Sequence, residues 1–192
     1  MQRKSALSCG GVIASAFFLL AGVGTSAYAQ QKITIQATAM GTSTQLGRVL
    51  PVKIIISQLS SPEDRNVLID AFQRFGHQGM LDALTRMTQK GRFSLEGRVG
   101  NDVKYIWELP SNEGRRFRLV TDRNLAFAEV SENTRSSEYS IGAVELTLTP
   151  DGKGSGTLLP ACKLKVNKQK QLEIEAYQNP WQLTNFIVTY GD

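Results

Sequence analysis

Apolar and polar residues alternate with a period of two along most of this chain. In the first run, Ile33, Ile35 and Ala37 alternate with Thr34 and Gln36. This period places apolar side chains on one face of a β-strand and polar side chains on the other. Similar runs occupy residues 33–39, 52–56, 93–95, 103–109, 117–121, 144–148, 164–166 and 172–176, and an apolar run covers residues 181–190. The pattern predicts a series of half-buried strands that ends in a buried one.

Short turn sequences separate these runs. Examples are Gly100-Asn101-Asp102, the segment 110–114 and Pro150-Asp151-Gly152. Asn and Asp tolerate turn geometry and Gly supplies positive φ, so such segments join neighbouring strands directly. Strands connected in this way form antiparallel meanders. We expect a mainly β fold, with α+β as the alternative, whose meander closes into a barrel or a sandwich to bury its apolar face.

Residues 61–88 break this period and predict a pair of helices. Ser61 and Pro62, followed by two acids, form a helix start, because Ser caps the first turn and Pro fits its first position. Apolar residues then recur at helical spacing up to Gly76, and a second set continues beyond it. The first set is Val67, Leu68, Ala71, Phe72 and Phe75, and the second is Met80, Leu84 and Met87. We expect the pair to cover one end or face of the sheet, with a mobile lid as the alternative.

The N-terminus carries the pattern of a secretion signal. Two basic residues precede an apolar run at residues 11–23, and Ala27 and Ala29 supply the small side chains that signal peptidase requires. The apolar run is shorter than the roughly 20 residues of a membrane-spanning helix. We expect residues 1–29 to be removed, with an uncleaved membrane anchor as the alternative. Residues 30–192 then form one domain, exported to the periplasm or the extracellular space, with no membrane span.

The amino-acid composition limits the kinds of partner that this chain could bind and the kinds of site that it could contain. Removal of residues 1–29 takes away two of the 22 Lys and Arg residues and none of the 17 acidic ones, so the net charge falls from +5 to +3. The basic residues are spread out rather than clustered with aromatic ones, which argues against nucleic-acid binding. Cys162 is then the only cysteine and His77 the only histidine. An intramolecular disulfide and a metal site built on several histidines are therefore excluded, and we expect no cofactor or metal.

Candidate ligand-binding residues lie where the fifth predicted strand ends. Thr121, Asp122 and Arg123 leave the core there, and a carboxylate beside a guanidinium suits an anion or a hydroxyl. A strand-end turn with local pairing is the alternative. Glu129 and Tyr139, further along the chain, complete the candidate site. Asp122 with Glu129 would supply the paired carboxylates of a hydrolase, although no residue is assigned as catalytic.

Several motifs stand out in the C-terminal part of the chain. Residues 115–123 read Arg-Arg-Phe-Arg-Leu-Val-Thr-Asp-Arg, residues 137–139 read Ser-Glu-Tyr, and residues 143–148 read Ala-Val-Glu-Leu-Thr-Leu. Gly152 to Gly156, residues 172–175 (Leu-Glu-Ile-Glu), Asn179-Pro180 and the earlier stretch 71–84 belong to the same set. With these motifs the chain resembles a family of uncharacterised exported bacterial proteins. The resemblance implies an autonomous exported domain and assigns no catalytic residue.

Three functions follow as hypotheses. The first is an exported binding or interaction domain of the cell envelope, monomeric, whose partner is a small ligand or an envelope protein. The second is a secreted hydrolase that uses carboxylates near Asp122 and Glu129. The third is a structural component of the envelope. The lack of catalytic motifs favours the first, and enzyme activity is left open.

Overall fold

The computed structural model describes residues 31–125, 139–177 and 179–191, which form one antiparallel β-sheet and one helix. The helix, α1 (Pro62–Arg86), lies between the second and third strands. The strands are β1 (Lys32–Met40), β2 (Val49–Ile56), β3 (Gly91–Leu95), β4 (Asn101–Leu109), β5 (Arg115–Thr121), β6 (Ile141–Leu148), β7 (Gly154–Val166), β8 (Leu172–Ala176) and β9 (Trp181–Gly191). The predicted mainly β fold with a helical insertion is confirmed.

The sheet closes into an eight-stranded barrel. Strands β1 to β6 pair in chain order, and β9 pairs with β1. Strand β7 closes the ring, because its first half pairs with β6 on one edge and, at Gly156–Leu158, with β9 on the other. Closure removes the open edges of the meander. Strand β8 pairs with the second half of β7 and lies outside the barrel.

The barrel interior is filled by the inward-facing apolar side chains of every ring strand. In β1, for example, Ile33, Ile35, Ala37 and Ala39 are buried, and the residues between them are more exposed. The same cluster includes Ile54, Phe93, Phe117, Leu146, Leu158, Trp181 and Leu183. Eight strands leave an interior just wide enough for side chains to fill. The apolar positions of the two-residue pattern therefore face one closed core.

One predicted turn is wrong. Asn101 and Asp102 are the first residues of β4, where they pair with Phe93 and Arg92. The chain reverses earlier, where the N–H of Arg98 donates to the carbonyl of Leu95 at 3.1 Å and Gly97 has a φ of 73°. Pairing to β3 outweighs the turn preference of Asn and Asp, because a strand partner satisfies the backbone groups.

Helix α1 begins as predicted and contains a break at Gly76. The Ser61 hydroxyl accepts from the N–H of Asp64 and the Asp64 carboxylate accepts from the N–H of Ser61, which forms a capping box. Gly76 has a φ of 64° and a ψ of −151°, which are not helical, so the predicted pair is present as two helical segments that meet at this glycine. The helix ends at Arg86, earlier than the predicted residue 88.

The helix packs on the outer face of the barrel. Leu68, Ile69, Met80 and Leu84 are buried against a second apolar cluster. That cluster includes Tyr105, Val120, Ile141, Ala143, Cys162, Leu164 and Leu172 from strands β4 to β8. The predicted stripe is partly wrong, because Val67 and Phe75 are 52% and 73% exposed, while Ile69, which is outside the predicted stripe, is buried. Buried residues lie on both sides of the break, so both parts of the helix cover the sheet.

A buried ion pair fixes the start of the helix. Lys90, which precedes β3, places its Nζ 3.1 Å from Oδ2 of Asp64, and its side chain is 8% exposed. The nearby Ser60 hydroxyl accepts from the N–H of Ile106 at 3.0 Å, and the N–H of Ser60 donates to the carbonyl of Ile106. These bonds tie the loop before α1 to β4.

Candidate functional site

Thr121 belongs to the core rather than to a surface site. The residue is 2% exposed. Its hydroxyl donates to the carbonyl of Arg123 at 2.6 Å and accepts from the N–H of Gly142 at 2.9 Å. Gly142 is required there, because a Cβ at this position would lie 2.4 Å from Cγ of Leu125. Thr121 therefore joins the end of β5 to the start of β6.

Asp122 and Arg123 form a local ion-pair group at the same strand end. The Asp122 carboxylate is 4.0 Å from Nζ of Lys104 and 3.5 Å from Nε of Arg123. The side chain of Asp122 is 11% exposed, whereas that of Arg123 is 67% exposed. This geometry corresponds to local pairing, the alternative in the sequence interpretation. Glu129 lies outside the described residues, so the pairing of its carboxylate with that of Asp122 stays a prediction.

Tyr139 lies against the hairpin of β7 and β8. Its hydroxyl donates to Oε1 of Glu175 at 2.6 Å, and its ring lies 4.9 Å from that of Tyr177. Nζ of Lys163 is 4.7 Å from the centre of the Tyr139 ring and 3.2 Å from Glu175. Among the described contacts of Tyr139, none reaches the end of β5. The structure therefore brings Thr121, Asp122 and Arg123 together, whereas the described contacts of Tyr139 are with the β7–β8 hairpin.

A cleft that the sequence analysis missed lies between the first turn of α1, strands β4 and β5, and the start of β8. We call it the arginine cleft, and it has a volume of about 410 Å³. Its walls include Arg65, Tyr105, Trp107, Leu109, Arg118 and Glu173. Helix, barrel and outer hairpin each contribute side chains, so this site exists only in the folded chain.

Arg65 of α1 supplies a guanidinium with no acidic partner among the residues that the structure describes. Its Nη2 donates to the carbonyl of Lys170 at 2.8 Å. Its Cζ lies 6.0 Å from the centre of the Trp107 ring, within cation–π range. The side chain is half-buried. Arg65 is therefore held in place by neutral groups and keeps its charge uncompensated.

Arg118 of β5 faces the same cleft and is fixed by hydrogen bonds on two sides. Its Nε donates to Oε1 of Glu145 at 2.7 Å, and its Nη1 donates to the carbonyl of Leu172 at 2.6 Å. Arg116 donates to the other oxygen of Glu145 at 2.9 Å. Two guanidinium groups thus share one carboxylate. This side of the cleft keeps a positive charge in excess.

The floor of the cleft is aromatic. Tyr105 and Trp107 point outward from β4, and their rings lie 6.2 Å apart with an angle of 3° between their planes. Burial raises the pKa of the Tyr105 hydroxyl above its ordinary value, and the charges of Arg65 and Arg118 act against this shift. Both guanidinium groups therefore act on the same phenol, which stays neutral.

A larger groove crosses the outer face of β9, β1, β2 and β3. Its volume is about 690 Å³, and one wall is the β3–β4 loop at residues 96–99. Apolar groups such as Leu95, Val99 and Ile187 line it, with Lys53 and Arg98 among its polar groups. Val99 and Ile187 are 91% and 62% exposed. The Ser94 hydroxyl donates to the carbonyl of Lys53 at 3.5 Å. Among the described contacts, however, no hydrogen bond fixes the charged side chains of Lys53 and Arg98.

Cys162 and Trp181 occupy core positions. Cys162 is fully buried in the cluster beneath α1, as the packing interpretation of this residue requires. Trp181 is buried inside the barrel. Within the described ranges, no group of three or more His, Cys, Asp and Glu residues could hold a metal ion. In the same ranges, no helix is both long and apolar enough to span a bilayer.

The fold and site define a closed antiparallel barrel with a helix and clefts on its outer surface. No protein-family model, curated protein or solved structure matches the chain. The resemblance to a family of exported bacterial proteins therefore stays a prediction.

Proposed function

We propose that this chain is an exported binding domain whose small ligand lies in the arginine cleft on the outside of the barrel. The observation that carries the proposal is the uncompensated Arg65 guanidinium held over Trp107. This guanidinium has no ion pair among the described residues, and its remaining N–H donors suit an anionic group. A ligand that provides the opposite charge would form an ion pair with it.

The packed barrel supports a site on the outer surface. Large side chains such as Phe93, Phe117 and Trp181 occupy the interior and are nearly inaccessible to solvent. A ligand inside would have to displace a close-packed core, at the cost of its contacts. Clefts between the barrel and the outer elements are open without any such rearrangement.

The arginine cleft is a better candidate than the larger groove. Ligand sites combine an apolar surface with a few precisely held polar groups, and their volumes run from about 300 to 1,000 Å³. Both openings fit this range. Among the described contacts, hydrogen bonds hold the arginine side chains of the cleft, Arg65 and Arg118, but not the charged side chains of the groove. We therefore place the ligand in the arginine cleft because its charged side chains are held, although the groove has the larger volume.

The other two hypotheses stay as predictions. A hydrolase that uses Asp122 and Glu129 involves a residue outside the described part of the chain. The contacts of Asp122 with Lys104 and Arg123 are local ion pairs and favour neither a hydrolase nor a structural envelope component. No specific observation raises either hypothesis above a binding role.

Export is tested by the mass of the natural product. We expect the protein recovered from periplasm or medium to start at residue 30, because Ala27 and Ala29 fit the signal peptidase. Intact-mass spectrometry of the soluble fraction measures this directly. A product that retains Met1 and sediments with membranes would contradict export as a soluble domain.

Binding is tested by thermal shift with a panel of organic acids, sugars and short peptides. A compound at 100 times its dissociation constant stabilises the folded state by about 2.7 kcal/mol. We expect Trp107→Ala to remove the stabilisation that such a compound gives, and Tyr190→Ala to keep it. Tyr190 is a matched control because it is an exposed aromatic residue of β9 that does not line the cleft. A panel without any stabilising compound, or one whose effect survives Trp107→Ala, overturns the proposal.

A further inference from the structure

We propose that the ligand of the arginine cleft is a planar organic carboxylate, an inference that rests on the binding function proposed above. The cleft places two fixed guanidinium groups beside a flat aromatic surface. A planar molecule that carries a carboxylate, such as an aromatic acid, satisfies both features at once.

Arg65 is the primary anion-binding group. A guanidinium offers five N–H donors in a planar fork. The described structure uses the Nη2 group of Arg65 for the carbonyl of Lys170 at 2.8 Å. The remaining donors are free to meet a carboxylate, for which the fork geometry is suited. An ion pair formed there would be partly screened from water, because Arg65 is half-buried.

Arg118 supplies a second, more rigid positive group. Its side chain is 17% exposed, and it is fixed by Glu145 and by the carbonyl of Leu172. Because Glu145 is shared with Arg116, it does not neutralise both arginines. Arg118 therefore adds to the positive potential of the cleft without having to move. A preorganised group of this kind lowers the entropic cost of binding.

The aromatic floor selects for a flat ligand. The accessible part of this surface is the half-buried ring of Trp107, because Tyr105 is only 2% exposed, and the two rings lie in nearly parallel planes with 3° between them. A flat ligand can stack on the ring of Trp107. Leu109 and Pro110 add an apolar wall at one end of the cleft. The apolar part of the ligand thus has a place to lie while its carboxylate reaches Arg65.

Glu173 limits the charge that the cleft accepts. It lines the cleft, and its Oε1 accepts from Nδ2 of Asn167 at 2.7 Å. Its negative charge opposes an incoming anion, so the cleft suits a single carboxylate better than a multiply charged phosphate. Removal of this charge by Glu173→Gln would strengthen carboxylate binding.

The test compares four probes by titration with NMR detection: benzoate, benzamide, cyclohexanecarboxylate and inorganic phosphate. Benzamide has the shape of benzoate without its charge, and cyclohexanecarboxylate has the charge without the flat ring. We expect benzoate to bind most tightly and benzamide about tenfold more weakly or worse, since a hydrogen bond between two charged groups is stronger than one to a neutral amide.

Variants of the full chain separate the groups. We expect Arg65→Gln to weaken benzoate binding at least about tenfold, Arg65→Lys to recover part of it, and Glu173→Gln to tighten it. Arg74→Gln is the matched control, because Arg74 is an exposed arginine of the same helix that lies outside the cleft. Circular dichroism and the melting temperature of each variant establish that it is folded.

Failures of the two proposals give different results. If benzamide binds as tightly as benzoate, Arg65→Gln has no effect, and Trp107→Ala abolishes both, the cleft binds a ligand but the carboxylate inference is wrong. If benzoate binding is unchanged by Trp107→Ala, both proposals fall. If phosphate binds more tightly than benzoate, or benzoate does not bind, the planar-carboxylate inference is overturned.

Discussion

At the scale of single residues, two buried polar side chains have partners that fix the chain. Thr121 holds the end of β5 to Gly142, and Lys90 is paired with Asp64. Burial of a polar or charged group costs free energy unless a hydrogen bond or an opposite charge compensates it. These residues therefore act on stability. Arg65, which has no acidic partner among the described residues, is the residue on which the proposed binding function rests.

Cys162 should be chemically inert in the folded protein. Burial raises the pKa of its thiol to about 12, although the charge of Arg118 acts against the shift. The thiolate is the reactive form, so a raised pKa and an inaccessible sulfur both block alkylation. We expect iodoacetamide at pH 8 to leave Cys162 unmodified until a denaturant is added, as measured by peptide mass mapping. Rapid modification of the native protein would mean that the cluster beneath α1 opens.

Asp64 should make stability depend on acid pH. Burial acts to raise the pKa of its carboxyl, but the N–H of Ser61 and the charge of Lys90 outweigh burial and hold the pKa below its ordinary value. The unfolded chain then binds this proton more readily than the folded one. The stabilisation is complete above the unfolded pKa of about 3.9 and is lost as pH falls through the lower folded pKa.

The variant Asp64→Asn tests this ion pair. We expect a loss of about 2 kcal/mol at pH 7, below the ~3–5 kcal/mol of a fully buried pair, because Asp64 is 26% exposed. The difference from the natural protein should shrink in urea titrations at progressively lower pH. Asp70→Asn, on the exposed side of the same helix, should change stability by less than about 0.5 kcal/mol. If the stability difference between Asp64→Asn and the natural protein does not vary with pH, the ion pair of Asp64 with Lys90 is not its source.

At the scale of elements, α1 acts as a fixed cover of the outer barrel face. Its buried residues come from both sides of the Gly76 break, which argues against a hinged lid. The bend itself needs glycine, because other residues adopt a φ of 64° only with strain. The bend keeps Met80 and Leu84 on the sheet.

Leu68 and Val67 are neighbours with opposite surroundings, and they test this packing. We expect Leu68→Ala to lower the free energy of unfolding by about 2–5 kcal/mol, because Leu68 is fully buried between the helix and the sheet. Val67→Ala should change it by less than about 0.5 kcal/mol, because Val67 is 52% exposed. Urea unfolding followed by circular dichroism gives both values. Equal effects of the two substitutions would show that the helix does not pack as described.

At the scale of the whole molecule, stability depends on closure of the ring at β7. Gly156 lies where β7 meets β6 and β9, opposite Leu146 and Leu183. A Cβ there would stand 2.5 Å from the backbone oxygen of Glu145. This oxygen belongs to a paired strand, so it cannot move aside as the end of a flexible side chain could. The close approach of three strands is therefore possible only with glycine at this position.

The variant Gly156→Ala tests closure. We expect a loss of about 1–3 kcal/mol from the clash, measured as a shift in the urea midpoint. Gly191→Ala is the control, because a Cβ at Gly191 would meet no atom within 4 Å. If Gly156→Ala is as stable as the natural protein, the strands at the closure point are further apart than the structure places them.

The sequence by itself determined most of the elements. The period of two located most of the strands and the Ser61 capping box located the helix start, because both signals depend on neighbours in the chain. The sequence indicated only residues 164–166 of β7, which runs from Gly154 to Val166, and it wrongly predicted that the last strand is buried, since Ile187 and Tyr190 are exposed. It did not determine the turn before β4, where pairing between strands decides the conformation. Nor did it place Ile69 in the buried stripe, since the side of a helix that faces a sheet depends on how the two dock.

Only the tertiary structure decided the site. Arg65, Trp107 and Arg118 come from a helix and two strands, and no spacing in the sequence relates them. Closure of the barrel at β7 carries β8 outside the ring, where its first residue meets Arg118. The cleft arises from that docking. Local pattern determines secondary structure because it reflects the burial of one face, whereas a binding site requires charges from distant segments to meet, which packing alone brings about.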